Sequence, residues 1–155
     1  MNARPVIPAS LWEIITTHVE EAYPAEGCGL VIGKNGIVTR AKTCTNAQAK
    51  YHELDPGMFP RNERNAYFIE PRELAETERE LDVNDEQLLA IYHSHPDAEA
   101  YFSAEDREQA VVAGEPIHPG THYLVLSVRE GKTAGHKWFA WDGTRYAEES
   151  SVGFD

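Results

Sequence analysis

The run Leu88-Leu89-Ala90-Ile91-Tyr92 passes without a break into His93-Ser94-His95-Pro96. Five consecutive apolar residues leave no strand face for water, so this segment must lie inside a sheet covered on both sides. Gly29-Leu30-Val31-Ile32-Gly33 makes the same demand. Interior strands of this kind require helices on both faces, which commits the chain to a mixed α/β fold, a curved sheet flanked by helices. The two histidines then stand at the end of an interior strand, a usual place for a site in such sheets.

The remaining elements follow from periodicity and turn chemistry. Leu11, Ile14, Ile15, Val19 and Ala22 keep helical spacing from Pro8-Ala9-Ser10 to Tyr23-Pro24, which predicts an amphipathic helix. Asn35-Gly36 between Gly29–Gly33 and Ile37–Lys42 predicts a hairpin. The stretch 46–65 is polar, has no convincing period, and is expected to be a long connection forming one wall of a substrate groove. Ala66–Ile69 reads as a short strand, and Pro71 opens a charged helix through about Leu81. A loop from Asp97 to Phe102 is expected to carry Tyr101 and Phe102 toward the histidines, before a helix from Ala104 to about Val112. Thr121–Val128 and Lys137–Trp141 read as strands, with Asp142-Gly143 marking a last hairpin.

Residues two apart on a strand share a face, so His93 and His95 can offer both imidazoles to one ion. Ser103-Ala104-Glu105-Asp106 reads as a helix start with Ser103 as N-cap. Asp106 in that first turn can return an oxygen to the same point. Two nitrogens and one carboxylate, with a coordination position left over, suit a hydrolytic zinc site; structural zinc is normally closed by four protein ligands. Glu26 stands in Pro24-Ala25-Glu26-Gly27-Cys28-Gly29, between the first helix and the first apolar strand. The glycines flanking Cys28 permit close approach of backbone or substrate.

Taken together, Glu26, then His93-x-His95 and Ser103-x-x-Asp106, resemble the signature of the JAMM (MPN-plus) metallopeptidases, E followed by H-x-H-x7-S-x-x-D. The compact size is similar to the stand-alone prokaryotic branch of that family. The resemblance implies one domain across residues 1–155, of a cytidine-deaminase-like α/β type. It implies one Zn2+ per chain on His93, His95 and Asp106, a general acid/base at Glu26, and a hydroxyl at Ser103 that stabilises a tetrahedral oxyanion. The implied reaction is hydrolysis of a peptide or isopeptide bond after the C-terminal glycines of a ubiquitin-like or sulfur-carrier protein, whose tail would be the partner.

Composition narrows the alternatives. Twenty-six acidic against fourteen basic residues give a net charge of −12, which repels phosphate backbones and anionic lipid, so neither nucleic acid nor membrane is the expected partner. No segment reaches the roughly 20 apolar residues of a membrane span, and the two cysteines make no disulfide framework. A cytoplasmic protein is expected. Cys28 reads as a small buried strand residue, with nothing basic beside it to make a thiolate. His118 and His122 are four apart but Pro119-Gly120 lies between them, so they do not share a helical face. His18, His52 and His136 read as packing or surface residues. Three other readings stay open: a cysteine hydrolase using Cys28, a silent binding module for ubiquitin-like tails, and a DNA-repair relative of the same family, against which the acidic balance counts.

Overall fold

A computed structural model describes residues 3–150 of the chain. Its centre is a curled six-stranded mixed sheet in the order β2-β1-β3-β6-β7-β8. The strands are β1 (Cys28–Lys34), β2 (Ile37–Cys44), β3 (Gln87–Pro96), β6 (His122–Arg129), β7 (Lys132–Trp141) and β8 (Tyr146–Glu148). Only β3 and β6 run parallel; every other neighbouring pair is antiparallel. A parallel pair needs a long crossover. Here it contains α4 (Ala104–Ala110) and a small hairpin of β4 (Val111–Val112) and β5 (Glu115–Pro116).

The alternation of side chains sorts the interior strands into two cores. On one face Val31, Ala90, Tyr92, Leu124, Leu126 and Trp138 pack under α1 (Ala9–Ala22), which buries Ile15 and Val19. On the other, Leu30, Ile32, Ile91, Tyr123, Val125 and Phe139 form a second cluster with Tyr67, Ile69 and Ala110, joined by Leu74 and Leu81 of α3 (Pro71–Asn84). This is why both strands had to be apolar throughout. Ile91, His93 and His95 share parity, so the histidines belong to the α3/α4 side, where β3 ends.

Several boundaries differ from the sequence reading. The stretch 46–65 is no bare connection: it holds α2 (Gln48–Leu54), whose seven residues are too few to display a period. Ala66–Ile69 makes a single bridge, Asn46 to Ile69, in place of a strand. The helix after Ser103 stops at Ala110, because Val111-Val112 turns back through Ala113-Gly114 to pair with Glu115-Pro116. β7 starts at Lys132, joined to β6 by Glu130-Gly131. Among the described residues, three two-residue turns have both residues at positive φ: Asn35-Gly36, Ala113-Gly114 and Glu130-Gly131. Only the first announces itself, since Ala and Glu are poor at the left-handed position that the turn imposes. β3 also continues through Pro96, and the chain leaves the sheet at Asp97, whose φ is 53°.

Candidate metal centre

The glycine-flanked segment before β1, the end of β3 and the first turn of α4 meet at one place. One ligand atom each of Glu26, His93, His95 and Asp106 lies within 4.8 Å of the others, and all four residues are buried. His93 Nε2 stands 3.0 Å, and His95 Nε2 3.2 Å, from Asp106 Oδ2. His95 Nδ1 lies 2.9 Å from the Glu99 carbonyl. With Nδ1 held there, Nε2 is the ring nitrogen that faces Asp106.

Asp106 is aimed by its own helix end. Its backbone N–H donates to Ser103 Oγ (3.1 Å), and the Ser103 N–H donates back to Asp106 Oδ2 (3.0 Å). The Ser103 oxygen is engaged as an acceptor, while its O–H remains available as a donor toward the cleft. Gln109 Nε2 donates to the Tyr67 carbonyl and so ties α4 to the segment that carries Tyr67. The Tyr67 ring stacks on His93, centroids 4.4 Å apart, and Tyr101 meets His95 edge-on at 4.9 Å. Phe102 does not follow Tyr101 toward the histidines. It packs on Tyr123, Phe139 and Tyr146, because neighbouring side chains on an extended segment point opposite ways.

Glu26 is fixed through its backbone. Its N–H donates to the Glu63 carbonyl (2.7 Å), and its carbonyl accepts from Asn46 Nδ2 (2.9 Å). Asn46 also donates to the Ala66 carbonyl (3.2 Å) and accepts from the N–H groups of Gln48 and Phe68, each at 3.0 Å. Next to Glu26, the Gly27 N–H donates to Ser94 Oγ (2.8 Å) and the Ser94 N–H donates to the Gly27 carbonyl (3.0 Å). Ser94 thus fastens the loop from the opposite face of β3 to the histidines. The glycines beside Cys28 serve packing: a side chain at Gly29 would collide with the Tyr92 ring, and one at Gly27 would crowd Val19 of α1.

Burial, followed by the negative charges of Asp106 and Glu105, pushes the Glu26 carboxyl up to about 9. Burial alone would raise Asp106 as well, but His93 and His95 beside it hold that carboxyl well below the usual carboxylate range. Buried polar atoms normally have partners. Here Glu26 Oε1 and His93 Nδ1 have none, and His93 Nε2 has only its approach to Asp106 Oδ2. Two imidazole nitrogens and two carboxylates, converging and incompletely satisfied, form a donor set that could hold a divalent metal ion.

Four other histidines take structural roles. His18 Nδ1 is 2.7 Å from the Tyr92 hydroxyl, His52 Nδ1 is 2.7 Å from the Phe59 carbonyl, and the His136 ring packs at a tilt against Trp12. His122 is buried against Glu149 Oε2 at 2.9 Å. Cys28 and Cys44 are buried free thiols. Burial pushes Cys28 well above the ordinary thiol value, and Cys44 up to about 12. Asn46, Ser94 and Tyr67 support the site without having been singled out in the sequence. Ser94 was the most accessible of them, as the opposite-face residue between two paired histidines; Asn46 and Tyr67 carry no local signal.

The helices of the described residues include none long and apolar enough to cross a membrane. Two solved structures share the fold. A solution structure of a protein from Desulfitobacterium hafniense matches with a TM-score of 0.67 at 24% identity, covering 93% of this chain and 88% of that one. A solution structure of a protein from Salinibacter ruber matches with a TM-score of 0.59 at 26% identity, covering 98% and 92%. The chain is similar to the desampylase of Haloferax volcanii, 28% identical over 143 residues, spanning 88% of this chain and 89% of that protein. It is also similar to the CysO-cysteine peptidase of Mycobacterium tuberculosis, 30% identical over 129 residues, spanning 81% and 74%. Residues 8–142 match the model of a family described as prokaryotic homologs of the JAB domain, and the chain belongs to that family.

Proposed function

We propose that the chain is a zinc-dependent peptidase that cuts the peptide or isopeptide bond after the C-terminal glycines of a ubiquitin-like or sulfur-carrier protein. The observation that carries this reading is the convergence of Glu26, His93, His95 and Asp106 in one buried cluster, beside a cavity of about 140 Å3 that Glu26, His95 and Ser103 line. The relatives named desampylase and CysO-cysteine peptidase support the hydrolase and the substrate class.

His93, His95 and Asp106 would hold the ion, with Glu26 as the proton carrier. Bound there, zinc would supply Lewis acidity, making water acidic enough to ionise near neutral pH and polarising a carbonyl. Glu26 receives a proton from the attacking water and returns it to the amide nitrogen as the C–O bond forms and the C–N bond breaks. A carboxyl whose burial favours its protonated form suits the second half of that task. A cation in the site would lower its pKa and so fit it for the first half. The Ser103 O–H donates to the oxyanion while its oxygen keeps Asp106 in place. The cavity is small, about 140 Å3, which favours glycine as the residue preceding the cut.

A cysteine mechanism is disfavoured by the burial of Cys28, which pushes its thiol well above the ordinary value. The two chemistries respond oppositely to inhibitors. A ubiquitin-like carrier extended beyond its Gly-Gly end should be trimmed to the glycines, as read by intact mass. A chelator should abolish the cleavage, Zn2+ should restore it, and a thiol alkylator should leave it unchanged. Cleavage at the parental rate by protein shown to be free of metal would overturn the assignment.

A further inference from the structure

The loop bearing Arg61 and Arg64 is tied to the proton carrier itself. Glu26 N–H donates to the Glu63 carbonyl at 2.7 Å, and Gln48 Nε2 donates to the Arg61 carbonyl at 2.8 Å. The Arg64 N–H donates to Asn62 Oδ1 at 2.9 Å, closing the turn. Both arginines line the same small cavity as Glu26, His95 and Ser103. In a chain of net charge −12, two guanidinium groups at one opening stand out. Arg61 pairs with Glu105. Asp97 accepts from the Tyr23 hydroxyl at 2.5 Å and the Glu130 N–H at 2.9 Å. Arg64 is exposed and forms no ion pair among the described residues.

We infer that Arg64, with Arg61 beside it, receives the α-carboxylate of the departing amino acid, so that the bond cut joins the carrier's last glycine to the α-amine of a single C-terminal residue. The inference rests on the peptidase reading and specifies its leaving group. Glu26 must reach the nitrogen that departs. In an α-amino acid the carboxylate carbon lies about 2.5 Å from that nitrogen, which brings the anion to the loop holding Glu26. A guanidinium matches a carboxylate with two parallel hydrogen bonds. A lysine side-chain amine of a folded protein brings no such anion near the nitrogen. The reaction consumes one water. Its oxygen stays on the new glycine carboxylate, and its two protons end on the departing amine, one of them through Glu26.

The test uses the zinc-loaded full chain and one ubiquitin-like carrier ending in Gly-Gly, prepared in three forms. The first carries an added alanine as the free acid, the second the same alanine as its amide, and the third an isopeptide bond to the side-chain amine of acetyl-lysine amide. The parent should cleave the free acid with a kcat/KM roughly tenfold or more above the other two, the worth of one charge-assisted hydrogen bond. In Arg64→Gln the ratio of acid to amide should fall to about one, mainly through KM, and Arg64→Lys should keep part of the preference. Zinc content and thermal unfolding guard against a folding defect. Equal cleavage of acid and amide by the parent, or a preference that survives in Arg64→Gln, would overturn the inference and leave the peptidase reading standing. Failure to cleave any of the three would sink both.

Discussion

Ser103 and Asp106 cap each other: each backbone N–H is accepted by the other's side chain, and the Asp106 oxygen used for this is the one facing His93 and His95. A local helix-start motif therefore determines where a candidate metal ligand points. Ser103→Ala removes the cap acceptor and the hydroxyl donor together. It should cost about 1 kcal/mol of stability and lower kcat roughly a hundredfold. Ser103→Thr should keep most of both, and calorimetry with steady-state kinetics reads the two losses separately. Full activity in Ser103→Ala would remove the hydroxyl from the mechanism.

Glu26 and His95 should fail in different ways. Glu26→Gln keeps shape and burial but cannot carry the proton, so turnover should drop by at least about a hundredfold with zinc stoichiometry near the parent's. His95→Ala removes a ligand and should lose the metal itself. Metal analysis beside single-turnover rates separates the two, and parental cleavage by Glu26→Gln would refute the acid/base role.

The raised Glu26 carboxyl makes the metal-free protein less stable in alkali. Folded, Glu26 holds its proton up to about pH 9; unfolded, it releases it near the ordinary 4.5. Between those values the folded state binds more protons, so stability falls as pH rises, by at most roughly 1.4 kcal/mol per pH unit. Asp106 runs the other way: its depressed value adds stability that is lost as the solution becomes acid. In chelator, Glu26→Gln should gain on the parent by a few kcal/mol between pH 5 and pH 8. Denaturant titrations showing a constant gap across that range would contradict the Glu26 assignment.

Asn46 makes four hydrogen bonds that join the Glu26 loop to the segment beneath His93. Asn46→Ala would leave the Glu26 and Ala66 carbonyls and two N–H groups short of partners. The expected loss is about 2–4 kcal/mol of stability, with a fall in kcat larger than the rise in KM. A thermally unchanged variant with parental kinetics would show that the bracket does not position Glu26.

Much of the architecture was readable from short stretches of chain. Apolar runs on both parities, as in Leu30–Ile32 and Ala90–Tyr92, can only be interior strands, and α1 shows its buried stripe in its spacing. Proximity of His93 to His95 follows from strand geometry, and the orientation of Asp106 from a four-residue capping pattern, because both depend on local dihedral angles. α2 escaped notice because two turns of helix show no period, and the Glu130-Gly131 turn because tertiary pairing forces Glu into a conformation its side chain disfavours. What folding alone decided is the company these groups keep. It brought Glu26 to atoms nearly seventy positions away in the chain, through the bonds of Ser94, Asn46 and Glu63, and it laid Tyr67 on His93. It also placed Arg61 and Arg64 at the same opening. The physical reason is that such contacts are selected by burial and hydrogen-bond satisfaction between distant segments, which leave no periodic trace along the chain.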